Sequence, residues 1–208
     1  MKEIDLSSWP RREIFEFFSR TSRPFYSLNF NLDIKKALNF AKKRGLSFYY
    51  CMIWLVTKAV NAVEAFRYTL RDGRVFLLER REPSFTDLRP GGDYFHICTM
   101  SCGEDIASFC AEAAKKSKNQ QEFINYSDER SDLIYISCLP WLELTSLTNE
   151  GELERDDCIP RISWGKFVPR GGELILNFSL EVNHRFIDGA HAAAFAEALR
   201  KAMDALPE

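Results

Sequence analysis

The sequence predicts an α/β (α+β) two-layer sandwich, in which a mixed β-sheet has helices packed on one side. Two observations lead to this fold class. Helical and strand-like segments intermix without strict βαβ repetition, and a short hairpin joins two of the strands. The chain has 208 residues, of which 46% are hydrophobic. That is enough for one compact domain with its own core, and we expect a single domain over residues 1–208.

The helices are indicated by apolar spacing and by residues that begin or end helices. Residues 4–20 open with Ser7, Ser8 and Trp9 and then turn helical, with Pro10 at the first helical position. Asp33 is the expected cap of a second helix, which ends at Gly45. Residues 47–65 are apolar on most sides, as in a buried helix. Two further helices are predicted at residues 105–117 and 190–206.

The strands are indicated by alternation and by turn residues. Asp72 and Gly73 form a favoured two-residue turn between strands at residues 66–71 and 74–79. Further strands are predicted at residues 94–100, 132–139, 160–168 and 173–183. In the last of these, apolar residues from Leu174 to Val182 occupy every second position, so one face of the strand is buried.

Charge and hydropathy exclude several classes of protein. A formal net charge of -2, from 28 basic and 30 acidic residues, gives no reason to expect nucleic acid as a partner. The longest apolar run, residues 48–56, is shorter than the roughly 20 residues of a membrane span. Charges at Lys2, Glu3 and Asp5 argue against a signal peptide. We therefore expect a cytoplasmic protein without a membrane partner.

The six cysteines are expected to be reduced thiols rather than disulfides or metal ligands. No C-x-x-C pair occurs in the sequence. His96 and Cys98 share one face of a predicted strand, but Cys102 lies beyond it and no fourth ligand is near. The sequence therefore predicts no metal site.

His184 is the histidine best placed for chemistry. It continues the alternating series of the last strand, so its imidazole points inward at the strand terminus. Histidine exchanges protons near neutral pH and can serve there as a general base. A core histidine satisfied by one carbonyl is the alternative. His96 and His191 are interpreted as structural or surface residues.

Three separated motifs resemble one enzyme family. The sequence H-R-F-I-D-G at residues 184–189 resembles the H-x-x-x-D-G signature of CoA-dependent acyltransferases. W-P-R-R-E-I-F-E at residues 9–16 resembles the tryptophan–arginine opening of chloramphenicol acetyltransferases, and I-S-C-L-P-W at residues 136–141 resembles their S-x-L-P-W strand. Residues 48–53 and 83–86 also follow the family pattern in order and spacing, so the resemblance covers nearly the whole chain.

The resemblance implies direct transfer of an acetyl group from acetyl-CoA to a hydroxyl of a small acceptor. His184 takes the role of general base, and Ser137 that of donor to the oxyanion. Asp188 pairs with Arg11 to brace the loop behind the histidine. Cys138 points away from Ser137 on a strand, which argues against a cysteine nucleophile. The family forms homotrimers with active sites at subunit interfaces.

The resemblance also implies binding residues. On the acceptor side these are Phe18, Tyr26, Phe95 and Ser163, and on the CoA side they are Lys166 and Phe167. Phe18 replaces a tyrosine of the family, and Asn183 replaces the first residue of a His-His pair. These departures leave open a different small alcohol or a dihydrolipoyl-like thiol as acceptor, or a catalytically inactive small-molecule binder. The motif at residues 184–190 also resembles dihydrolipoyl acyltransferases, but Trp9 and Arg11 favour the antibiotic-acetylating branch.

Overall fold

A seven-stranded mixed sheet with helices on one face forms the centre of the computed structural model, which describes residues 1–89, 91–150 and 156–207. The helices are α1 (Arg12–Phe18), α2 (Lys35–Lys43), α3 (Phe48–Asn61), α4 (Ile106–Asn119) and α5 (Gly189–Asp204). The strands are β1 (Lys2–Glu3), β2 (Phe25–Asp33), β3 (Tyr68–Arg71), β4 (Arg74–Leu77), β5 (Glu82–Leu88), β6 (Phe95–Thr99), β7 (Leu133–Cys138), β8 (Arg161–Trp164), β9 (Val168–Arg170) and β10 (Glu173–Asn183).

The main sheet has the strand order β2-β10-β8-β7-β5-β6, and β9 pairs with β10 beside this path. β7 runs parallel to both of its neighbours, β5 and β8, whereas the other strand pairs are antiparallel. A second sheet of three strands has the order β1-β4-β3. The mixed sheet confirms the predicted fold class.

The two faces of the main sheet differ in polarity. On one face, Leu180 lies opposite Ile162 and Leu28, and the aromatic residues of this face meet the helices. Trp164 contacts Tyr49 of α3 at 5.9 Å between ring centroids. Alternation then puts Ser163, Ser179 and Glu181 on the other face, where all of them are buried.

Several predicted elements are confirmed, and two long strands were missed. The Asp72-Gly73 turn, α4, β6, β7, β10 and α5 lie where the sequence predicts them, within two residues at most ends. β2 and β5 were not predicted. β2 pairs with β10 over nine residues and alternates as β10 does, but its outward positions carry Asn29 and Asn31.

Other predictions were wrong at the ends of elements. α1 begins at Arg12, so Pro10 precedes the helix instead of opening it. The cap position of α2 is Ile34, although Asp33 Oδ1 still accepts a hydrogen bond from the backbone of Lys35 at 3.0 Å. The strand predicted at residues 160–168 ends at Trp164. At the next position, a side chain on Gly165 would lie 2.4 Å from the carbonyl oxygen of Leu142.

Five of the six cysteines and His96 are buried, and Cys138 is half-buried. All six cysteines are free thiols. His96 is buried and its Nε2 lies 3.1 Å from Ser117 Oγ. Within the described ranges, no group of histidine, cysteine and acidic residues is arranged to hold a metal ion. No helix there has the length and apolar character to cross a membrane.

Arg81 joins the two sheets through buried hydrogen bonds to main-chain carbonyls. Its guanidinium donates to Tyr68 at 2.8 Å and to Leu133 at 2.9 Å, and to the carbonyls of Phe66, Ser131 and Cys158. Burial lowers the pKa of Arg81 to about 10, so the group remains charged at neutral pH. A fully buried cation is tolerated here because carbonyl dipoles surround it.

Replacing Arg81 by methionine is expected to lower the free energy of unfolding by at least about 3 kcal/mol, because each orphaned buried carbonyl costs roughly 1–3 kcal/mol. Chemical denaturation followed by circular dichroism measures the change. Arg74→Met is the matched control, since Arg74 is exposed and its guanidinium contacts Glu3 and the ring of Phe76 at the surface. Equal stability of the two variants would contradict the assigned role of Arg81.

Candidate active site

The imidazole of His184 lies directly after β10, held by two aromatic rings from other elements. Phe18, the last residue of α1, stacks on it at 4.0 Å between ring centroids, and Tyr26 of β2 stacks at 4.3 Å. The backbone N–H of His184 donates to the carbonyl of Pro24 at 2.6 Å. Its Nδ1 is buried and has no hydrogen-bond partner among the described residues. A histidine with a purely structural role in the core would be expected to donate to a carbonyl, and no such carbonyl is found at Nδ1.

Arg11 fixes the turn that follows His184 through three contacts. Its guanidinium donates to the carbonyl of Arg185 at 2.9 Å, to the carbonyl of His184 at 3.2 Å and to Asp188 Oδ2 at 2.7 Å. The other carboxylate oxygen of Asp188 lies 2.5 Å from His191 Nδ1. Burial raises the pKa of Asp188, but the hydrogen bond and charge of Arg11, with His191, bring that pKa below its ordinary value. The carboxylate is therefore ionised at neutral pH.

Arg11→Lys is expected to lower kcat about 10- to 100-fold while changing KM little, because misplacing a reacting group by about 1 Å costs that much in rate. A lysine keeps the positive charge but lacks the planar guanidinium whose N–H groups reach all three acceptors at once. Steady-state kinetics tests this, with Arg12→Lys as control because Arg12 is exposed and pairs with Glu16. Unchanged kcat in Arg11→Lys would show that the three contacts of the Arg11 guanidinium do not position His184.

Asn183 holds the same turn from the other side, a role that the sequence did not reveal. Its Oδ1 accepts from the backbone N–H of Arg185 at 3.0 Å and from Arg185 Nε at 3.1 Å. Its Nδ2 donates to the carbonyl of Asp157 at 2.9 Å. The only signal in the sequence was its position beside His184, where the family resemblance expects a histidine.

Ser137 belongs to a row of hydroxyl groups on the polar face of the sheet. It lies opposite Ser163 of β8, which in turn lies opposite Ser179 of β10. Ser137 Oγ is 3.1 Å from Thr86 Oγ1 of β5. The adjacent Cys138 lies opposite Trp164 on the helical face, and burial raises the pKa of its thiol to about 12. That thiol is therefore protonated at neutral pH and turned away from the row.

The predicted site residues form two groups at opposite ends of the sheet. One group surrounds His184 and contains Arg11, Phe18, Tyr26 and Asp188. The other group lies toward the end at which β7 and β8 finish, and contains Ser137, Ser163, Lys166, Phe167 and Phe95. In this group Lys166 and Phe95 are exposed, and Phe167 meets Phe48 edge-on at 6.0 Å.

The two groups do not meet within one chain. Ser179 is level with Ser137, and His184 follows Ser179 by five residues, about 16 Å along a strand. The faces differ as well, because Tyr26 beside His184 lies opposite Val182 on the helical face, whereas Ser137 lies on the polar face. The base and the oxyanion donor predicted from the resemblance are therefore apart in a single copy of the chain.

Comparison with known proteins identifies the family. The family model for chloramphenicol acetyltransferase matches residues 1–200. Chloramphenicol acetyltransferase 2 of Escherichia coli is 27% identical over 204 residues, which cover 97% of this chain and 96% of the relative. The Bacillus pumilus chloramphenicol acetyltransferase is 28% identical over 202 residues, covering 96% of this chain and 91% of the relative.

Solved structures agree with this result. A chloramphenicol acetyltransferase structure superimposes with a TM-score of 0.88 at 26% identity, covering 97% of this chain and 99% of the other. A probable dihydrolipoamide acetyltransferase from Listeria monocytogenes shares the fold, with a TM-score of 0.67 at 14% identity, covering 100% of this chain and 96% of the other. The chain belongs to the chloramphenicol acetyltransferase family and is an acyltransferase.

Proposed function

We propose that the protein transfers the acetyl group of acetyl-CoA to a hydroxyl of a small acceptor, chloramphenicol or a close relative, within a ternary complex. The observation that carries this proposal is the imidazole of His184, stacked between α1 and β2 in a turn that Arg11 and Asp188 fix. The family membership supports the acetyl donor and the class of acceptor.

The chemistry follows from the positions of a base and a hydroxyl donor. His184 removes the acceptor's hydroxyl proton while the oxygen attacks the thioester carbonyl. The Ser137 hydroxyl donates to the resulting oxyanion, and a donor so placed is worth a few kcal/mol, about 3 to 4 in favourable cases. When the tetrahedral intermediate collapses, the C–S bond breaks and the imidazolium proton goes to the CoA sulfur. Acetylated acceptor and free CoA leave, and His184 is neutral again.

This mechanism requires more than one copy of the chain. Because His184 and Ser137 lie at different ends and on different faces of one sheet, a complete site needs two copies of the chain. The resemblance to the family implies a homotrimer, and we propose one in which His184 of each subunit faces Ser137 of the next. Phe18 and Tyr26 would then form the acceptor wall on the histidine side. Phe95 and Ser163 would form the opposite wall, with Lys166 and Phe167 toward the CoA. No metal takes part in the proposed reaction.

The experiment that tests the proposal is a thiol-release assay with purified protein, acetyl-CoA and a panel of acceptors. The panel contains chloramphenicol, other small alcohols and dihydrolipoamide, because Phe18 and Asn183 depart from the family pattern. We expect free CoA thiol only when an acceptor is present, with acetylated chloramphenicol found by mass spectrometry. If no acceptor raises thiol release above that of His184→Ala, the proposed function is wrong.

A further inference from the structure

A strap, residues 142–149, crosses the polar face of the sheet and contacts it at Ser179, which belongs to the hydroxyl row, and at Glu181. The Ser179 hydroxyl donates to the carbonyl of Leu147 at 2.8 Å. The backbone N–H of Asn149 donates to Glu181 Oε2 at 2.9 Å. Since Ser179 and Glu181 are themselves buried, these contacts hold the backbone of the strap against this face of the sheet.

Only the oxygen of the Asn149 side-chain amide has a hydrogen-bond partner within the described residues. Its Oδ1 accepts a hydrogen bond from Ser163 Oγ at 3.4 Å. Its Nδ2 is buried and has no hydrogen-bond partner in the described parts of the chain. Buried donors of this kind are uncommon in folded proteins, and each calls for an explanation.

The position of Asn149 indicates which ligand the Nδ2 donor could bind. Ser163 lies directly opposite Ser137 on the neighbouring strand, and neighbouring strands of a sheet are about 5 Å apart. The Asn149 amide therefore contacts Ser163, and Ser163 is the direct neighbour of Ser137, the hydroxyl that we assign to the oxyanion. Ser163 is 1% exposed and already donates to Asn149. The Asn149 Nδ2 group, rather than the Ser163 hydroxyl, is therefore the free donor that could bind a ligand.

We infer that Asn149 is a specificity residue, whose Nδ2 donates a hydrogen bond to a second oxygen of the acceptor, such as a carbonyl or nitro oxygen. The inference rests on the proposed function, because it places the acceptor beside Ser137. Ser163 becomes a positioning residue that orients the amide. The preferred substrate class is then a small alcohol that carries an additional hydrogen-bond acceptor, rather than a plain alcohol or thiol.

The test compares Asn149→Leu with the wild type, using chloramphenicol as probe. We expect Asn149→Leu to raise both the Kd of chloramphenicol, measured by calorimetry, and its KM about 3- to 10-fold, as the loss of one neutral hydrogen bond predicts. The KM of acetyl-CoA should stay unchanged, and the melting temperature should fall only slightly, because the variant also removes the acceptor of the Ser163 hydroxyl. Thr148→Leu is the matched control, since Thr148 is the exposed neighbour on the strap.

The outcomes separate this inference from the proposed function. If wild-type protein acetylates chloramphenicol and Asn149→Leu binds it equally well, the specificity role is wrong while the activity stands. An equal rise of both KM values together with a large fall in melting temperature also overturns it, since it shows a purely structural role. If the wild type neither binds nor acetylates chloramphenicol, both the chloramphenicol proposal and the role of Asn149 fail.

Discussion

His184→Ala is expected to lower kcat/KM for the acceptor by about 10²- to 10⁴-fold, the usual contribution of a general base. The alcohol oxygen is a weak nucleophile until its proton is taken, and no other described side chain in the His184 group can accept that proton at neutral pH. Arg11 is a cation, and Asp188 is occupied by Arg11 and His191. Kinetics of thiol release with saturating acetyl-CoA gives the size of the effect.

Folding and specificity controls accompany this prediction. His184 donates its backbone N–H to Pro24, a contact that alanine keeps, so the variant should fold. Its melting temperature should fall only by what the lost stacking on Phe18 and Tyr26 contributes. His191→Gln is the matched histidine replacement, because the His191 ring contacts the carboxylate and the backbone N–H of Asp188. We expect that variant to lose less than about tenfold in kcat. If His184→Ala retained wild-type kcat/KM, the imidazole would have no part in the reaction.

The sequence predicted those parts of the site that depend on local periodicity. Alternation from Leu174 to Val182 placed His184 at the end of a buried strand, and β10 runs as expected. The Arg11–Asp188 pair joins residues 177 positions apart, so only the family resemblance could propose it. The structure shows the contact and adds two main-chain acceptors that no motif contains.

Other features could not be predicted because they depend on tertiary contacts. Asn149 lies in a segment without periodicity, and its role appears only when the strap crosses Ser163 and Glu181. β2 was missed because its outward positions are asparagine and serine, which are typical of loops, although β10 pairs with all nine of its residues. The separation of His184 from Ser137 likewise follows from strand register, which the sequence does not show.

The central claim is that the active site combines His184 of one subunit with Ser137 of another. Co-expression of a His184→Ala chain and a Ser137→Ala chain, each with its own affinity tag, yields mixed oligomers that can be purified by both tags in turn. In a trimer assembled at random from equal amounts, roughly a quarter of the interfaces unite an intact His184 with an intact Ser137.

Thiol release by these mixed oligomers is the most direct measurement of the claim. Each parent variant alone should be nearly inactive. The mixed trimers purified by both tags should recover about a third of the wild-type activity per chain, because each of them has one complete site among three, and the mixture before purification should recover about a quarter. Activity that stays at the level of the two parents would contradict the account, because it would mean that His184 and Ser137 act within one chain or do not act together.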